Sequence, residues 1–157
     1  MTDLVIFDAI SNFINNLNEI LGTHFINLQL YNRILEKTTV SHKDAINKQV
    51  QLFRSWCLLN QDAILQKNYN NFKQNLISYS DKVFINFKDI FEKSDNDTTK
   101  IIWQHILTIC ALTNPQIKAK EVLKKDNDKT NENNFLKNMI EKVESNVDDT
   151  GNISNPM

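Results

Sequence analysis

The sequence predicts an all-α protein, a single-domain bundle of about five to seven helices. Three observations carry that prediction. The chain holds only two glycines and two prolines in 157 residues. Sandwiches, barrels and dinucleotide-binding units need many more turn residues and phosphate-loop glycines. Apolar residues recur at spacings of three and four along most of the chain. Finally, residues 98–113, placed on a wheel at about 100° per residue, are apolar around roughly two-thirds of the circumference. Only Lys100, Gln104, Thr108 and Ala111 form a narrow outward stripe there. A helix of that kind must be wrapped by neighbours on several sides, so 98–113 is expected to be the buried centre of the fold.

The remaining elements follow in order. Residues 3–21 read as a first helix with Ile6, Ile10, Phe13, Leu17, Ile20 and Leu21 on one face. Gly22 stands where a helix end favours a left-handed residue. Residues 27–37 read as a second helix burying Leu30, Ile34 and Tyr31. Ser41, with Asp44 three residues on, looks like a capping box opening a helix to about residue 59. Its stripe is Ala45, Ile46, Val50, Phe53, Trp56 and Cys57, while Lys43, Asn47, Lys48, Gln51, Arg54 and Ser55 face away. A short helix is expected at 62–67 and a helical turn or two at 69–76. Val83, Phe84 and Ile85 are β-prone and follow a Ser80-Asp81 turn. One strand cannot make a sheet, so the short extended segment near 83–85 is expected to be a tether across the bundle. Asn86 then caps a short helix to Phe91.

Asn114-Pro115 ends the central helix, because proline disfavours the α conformation of the residue before it. A helix to about Lys125 follows, completing a helical core domain over 1–125. Residues 126–134 contain no apolar side chain and read as a polar linker. Residues 135–146 read as a C-terminal amphipathic helix, and 147–157 as a disordered tail.

Composition narrows function mainly by exclusion. The chain is 41% hydrophobic and 24% charged, with 18 basic against 19 acidic residues and a net charge of -1. Nucleic-acid binders usually carry a basic excess. No apolar run approaches the roughly 20 residues that a membrane span needs. Asparagine occurs 23 times, beside much Ile and Lys. These residues have AT-rich codons, so the bias reports a genome rather than a chemistry. It also makes the glycosylation-type matches at Asn96 and Asn152 expected by chance. Cys57 and Cys110 fall on apolar helix faces and read as buried free thiols in a reducing compartment.

No catalytic residue, metal set or cofactor motif emerges. His105 lies in the apolar arc of the central helix, with no acid or second His at three or four residues, and reads as a core histidine bonded to a backbone carbonyl or a hydroxyl. His105 and Cys110 point about 140° apart on one helix and cannot share a ligand. Asp95-Asn96-Asp97 and Asp126-Asn127-Asp128 begin like calcium loops. The glycine and the closing glutamate such a loop needs are Lys100 and Ile106 in one case, Asn131 and Lys137 in the other.

Two surfaces stand out for binding. Phe135, Leu136, Met139, Ile140 and Val143 form an apolar stripe beyond the linker, suited to docking on the chain's own domain, on a second copy or in a partner's groove. Lys118, Lys120, Lys124 and Lys125 cluster after Pro115 and offer a phosphate contact, offset by Glu121, Asp126 and Asp128.

Four stretches carry a resemblance. They are Phe53-Arg54-Ser55-Trp56-Cys57 with Asn60-Gln61-Asp62-Ala63-Ile64, Ile77-Ser78-Tyr79-Ser80 with Phe84-Ile85-Asn86-Phe87, Thr99-Lys100-Ile101-Ile102-Trp103-Gln104-His105-Ile106-Leu107-Thr108-Ile109 with Asn114-Pro115, and Phe135-Leu136 to Val143 with Asn155-Pro156-Met157. Together they resemble a family of short, uncharacterised proteins of nucleocytoplasmic large DNA viruses (giant viruses). The resemblance implies a viral setting, in the particle or the cytoplasmic virus factory of the host, and supplies no catalytic residue. The family pattern continues past Met157, so the chain is expected to be truncated there. The leading expectation is a non-enzymatic viral protein that binds other proteins or itself. An accessory factor of viral transcription or genome packaging, touching nucleic acid through the lysines, is the second. A small enzyme using His105 is the third.

Overall fold

The computed structural model describes residues 2–116 and 119–126. The protein is mostly α, as the periodicity predicts, with helices α1 (Thr2–Leu21), α2 (Ile26–Lys37), α3 (Lys43–Leu59), α4 (Gln61–Leu65), α5 (Phe87–Lys93), α6 (Asn96–Thr113) and α7 (Ala119–Asp126). Between α4 and α5 lies one small hairpin, β1 (Leu76–Ser78) and β2 (Phe84–Asn86).

The central helix is where the wheel places it. α6 packs against α1, α3, α4 and α7, and every residue from His105 to Asn114 is buried. Its first turn is capped by Asp95, whose Oδ1 accepts from the backbone N–H of Thr98 at 2.7 Å. The helix therefore starts at Asn96, two residues before the expected boundary. The outward stripe is shorter than expected. Lys100 is exposed and Gln104 half-buried, but Thr108 and Ala111 are buried. Thr108 tolerates this because its hydroxyl donates to the Gln104 carbonyl at 2.7 Å, leaving no polar group unsatisfied.

α1 buries Ile6, Ile10, Phe13, Leu17 and Leu21, whereas Ile20 is exposed. Leu21, four residues after Leu17, continues the buried line, and Ile20 falls beside it. Gly22 does not adopt a left-handed conformation. It opens a 3-10 turn, Gly22–His24. The Asn18 Oδ1 lies where a Cβ would stand, at the far end of a side chain that can turn aside. α2 is rolled relative to its expected face, burying Leu28, Tyr31 and Leu35 while Leu30 and Ile34 are half-buried. The roll brings the Tyr31 hydroxyl to Gln49 of α3, to which it donates at 2.5 Å.

α3 carries the expected stripe, with Ile46, Val50, Phe53, Trp56 and Cys57 buried and Ala45 half-buried. Its N-terminus is not a capping box. His42 occupies the cap position without a side-chain cap bond. Ser41 Oγ instead meets Thr39 Oγ1 at 2.8 Å, and the Thr39 N–H donates to His42 Nδ1 at 2.9 Å. The local turn takes the groups that a cap would have used.

The largest departure is at 69–86. Only Tyr69–Asn71 makes a 3-10 turn, and the segment at 83–85 is not a lone tether. It pairs antiparallel with β1, with Ile77 opposite Ile85 and both buried. The cause is Asn60, at the end of α3. Its Oδ1 accepts from Lys73 N–H at 2.7 Å and Gln74 N–H at 3.2 Å, and its Nδ2 donates to the Gln74 carbonyl at 3.1 Å. Trp56 Nε1 donates to the same carbonyl at 2.8 Å. Backbone groups bonded in this way cannot join a helix, so the chain leaves Gln74 extended. Asn86 then caps α5 as expected, accepting from Asp89 N–H at 3.3 Å.

An aromatic chain fills the space between α3, α5 and α6. Trp56 stacks on Phe87 at 4.4 Å between ring centroids, and Phe91 lies 4.7 Å from Trp103. Contacts of this kind add about 0.5–1.5 kcal/mol each beyond simple burial.

Candidate functional site

His105 is the one histidine that the sequence places in the core. It is buried against α1, stacked on Phe13 at 5.1 Å, with Nε2 3.1 Å from Asn16 Nδ2. An amide NH₂ only donates, so Nε2 is the acceptor and the ring is neutral. Burial pulls the His105 pKa down to about 4. The partner is thus a side-chain amide from another helix, not the expected backbone carbonyl or hydroxyl. An enclosed, neutral imidazole whose acceptor is already occupied is a packing element.

Cys57 and Cys110 are both free and buried, and tertiary packing brings them together between α3 and α6. The neighbouring Cys110 thiol, and then burial, push the Cys57 thiol well above its ordinary value. Cys57 is therefore not a poised nucleophile, since reactivity belongs to the thiolate. Among the described residues, no group of three or more His, Cys, Asp or Glu converges to hold a metal ion. No described helix is long and apolar enough to cross a membrane.

The sequence-derived binding surfaces lie mostly beyond view. Phe135, Leu136, Met139, Ile140 and Val143 are outside the described residues, as are Lys118, residues 127–134 of the linker and the 147–157 tail. Lys120 is half-buried on α7. Lys124 and Lys125 belong to the same helix, their side chains outside what is described.

The surface that the structure adds is a groove of about 190 Å³ between α3 and β1. Its floor is Trp56 and Ile77, and its apolar walls are Leu52, Leu59 and Leu76. Ser55, Gln74 and Ser78 supply a polar edge. Leu59 is 49% exposed and Leu76 40%. Two large aliphatic residues exposed on one groove form an apolar surface that water covers poorly. The groove is held open from both sides. Asn60 and Trp56 fix Gln74 as described, and Lys48 of α3 donates to the Tyr79 carbonyl at 3.2 Å with its ammonium 4.1 Å from the Tyr79 ring centre. A second dent of about 240 Å³ near the α1–α2 turn is polar. Arg33 and Glu36 both line it, so it presents no single sign of charge.

Sequence reasoning missed the groove because its walls come from residues far apart in the chain. The one available signal was Leu58-Leu59, two leucines lying off the buried stripe of α3.

A family model described as "Family of unknown function (DUF5891)" matches residues 6–153. The chain belongs to this family. It is also 28% identical over 124 residues to "Uncharacterized protein 054L" of Invertebrate iridescent virus 3. That match covers 77% of this chain and 40% of the relative, so the chain spans about two-fifths of that protein's length. No solved structure matches the chain. An uncharacterised family with a relative in a large DNA virus is what the resemblance implied.

Proposed function

We propose that this DUF5891 protein is non-enzymatic and acts by binding another protein, as a component of the virus particle or of the cytoplasmic virus factory. The observation that supports this is the α3–β1 groove, where Leu59 and Leu76 stay exposed over an apolar floor. Its size suits anchoring side chains of a partner segment, the mode in which a few buried apolar residues carry most of the affinity. Its lining residues include no titratable group to drive a reaction.

The test is a tagged pull-down from infected cells, with and without nuclease, comparing the wild-type chain with Leu59→Glu and Leu76→Glu. Both positions are exposed, so the fold is expected to tolerate the change. Recovery of a defined protein that survives nuclease and falls at least tenfold in both variants is the expected result. Recovery that collapses with nuclease, leaving polymerase or packaging proteins only in the untreated sample, would replace this reading with nucleic-acid contact through Lys118, Lys120, Lys124 and Lys125. Unchanged recovery in both variants would remove the groove as the surface.

A further inference from the structure

We propose that the α3–β1 groove takes an extended segment of another protein, which adds to β1 as a third strand and sets one apolar side chain on the groove floor. This rests on the groove being the interaction surface, and it specifies the form of the partner.

The strand has an open edge. The Tyr79 N–H donates to the Val83 carbonyl at 2.8 Å, and the Phe87 N–H to the Asn75 carbonyl at 2.9 Å. With Ile77 opposite Ile85, these bonds make the odd-numbered residues the ones whose N–H and C=O point at β2. Leu76 and Ser78 point theirs the other way. The Leu76 N–H is taken by Gln74 Oε1 at 3.0 Å. Among the described residues, nothing bonds to the Leu76 carbonyl or to the Ser78 N–H and carbonyl.

That edge faces the groove. α3 runs beside it, joined to the Gln74 carbonyl through Trp56 Nε1 and Asn60 Nδ2 and to the Tyr79 carbonyl through Lys48. The unmet groups lie between these two joins, where Leu76, Ile77 and Ser78 line the groove together with Leu52, Trp56 and Leu59 of α3.

An extended main chain answers this pattern. In an antiparallel partner strand, one residue exchanges two bonds with Ser78, and the residue two further on donates its N–H to the Leu76 carbonyl. The residue between them stands opposite Ile77 and turns its side chain to the same face, toward the floor of Trp56 and Ile77. A groove of about 190 Å³ suits such a side chain if it is large and apolar. A helix cannot substitute, because its own N–H groups are bonded internally.

The experiment pans a displayed library of short random peptides on the full chain, with Leu59→Glu as the counter-selection. Each selected peptide is then made with a methyl group on one main-chain nitrogen at a time, and its affinity is measured by fluorescence anisotropy. A methyl on either of two nitrogens two residues apart should weaken binding about tenfold or more, and a methyl on the nitrogen between them should not. Ser78→Pro is the matching change in the protein. It removes an N–H that β2 does not use, at an edge where proline is tolerated, and should weaken the unmethylated peptide to the same degree. The methyl scan needs no variant, so it decides the matter if Ser78→Pro fails to fold. Methyl effects at no position, or at consecutive ones, would overturn strand addition and leave a groove read by side chains alone. A library that returns no peptide preferring the wild type over Leu59→Glu would sink the groove itself as a docking surface. A wild-type chain that is dimeric, and monomeric as Ser78→Pro, would make β1 of a second copy the added strand and overturn the proposal.

Discussion

Asn16 of α1 and His105 of α6 meet across the core, 89 residues apart in sequence, with the amide nitrogen 3.1 Å from the imidazole Nε2. The contact joins the first helix to the central one and fixes the ring as a neutral acceptor.

It also makes stability depend on pH. The His105 pKa falls from 6.5 to about 4 because burial disfavours the imidazolium. The unfolded state therefore binds more protons in this window, and stability falls as pH falls. This contribution is complete above about pH 6.5 and is lost progressively toward pH 4, by about 3 kcal/mol in all. Urea midpoints between pH 7.5 and 4.5 should show the slope. His105→Gln, which keeps a hydrogen-bonding side chain but does not titrate, should flatten it. Parallel curves for the two proteins would show that His105 is not the group responsible.

Tyr31→Phe removes the donor to Gln49 while keeping the ring. Gln49 is buried, so its Oε1 is left without that partner. A loss of about 1–3 kcal/mol is expected in chemical denaturation. A change within a few tenths would mean that the Gln49 amide reorients to a new donor.

Asn60→Ala deletes the three bonds that hold Lys73 and Gln74. The expected cost is about 2–3 kcal/mol. The loss of amide protection should be local, greatest at Leu76–Ser78 and Phe84–Asn86 by hydrogen exchange. Uniform loss across α1 and α6 would show that the hairpin is not a separately anchored unit.

Cys57 and Cys110 should stay unmodified by an aromatic disulfide reagent at pH 8 until urea unfolds the chain, and then both should react. Fast reaction of either thiol in the native protein would contradict their burial.

The helices were legible because their signal is local. Ile6, Ile10, Phe13 and Leu17 repeat at helical spacing, as do Ile46, Val50, Phe53 and Cys57, and periodicity needs no knowledge of the partner. The hairpin was not legible, because what keeps Lys73 and Gln74 out of a helix is an asparagine thirteen and fourteen residues earlier. Asn60 is one of 23 asparagines, and nothing local marks it. Asn16 was hidden in the same way. The groove failed for a third reason: Leu59 reads as a helix end and Leu76 as part of a helical turn, and only their meeting creates a surface. α2 shows the limit of periodicity itself, since the face that meets the core carries Leu28, Tyr31 and Leu35 rather than Leu30 and Ile34.

The burial of α6 from His105 to Thr113 has a consequence for synthesis. The N-terminal helices that flank it, α1 and α3, are finished by Leu59, but the strand of chain that fills the space between them is not complete until Asn114. At about 5–20 residues per second, a ribosome needs roughly three to eleven seconds to make the intervening segment. Throughout that interval Phe13, Phe53 and Trp56 have no central helix to cover them. An unfinished chain with that apolar surface uncovered is prone to aggregate, and the yield of folded protein should rise with the supply of chaperones in the cell that makes it.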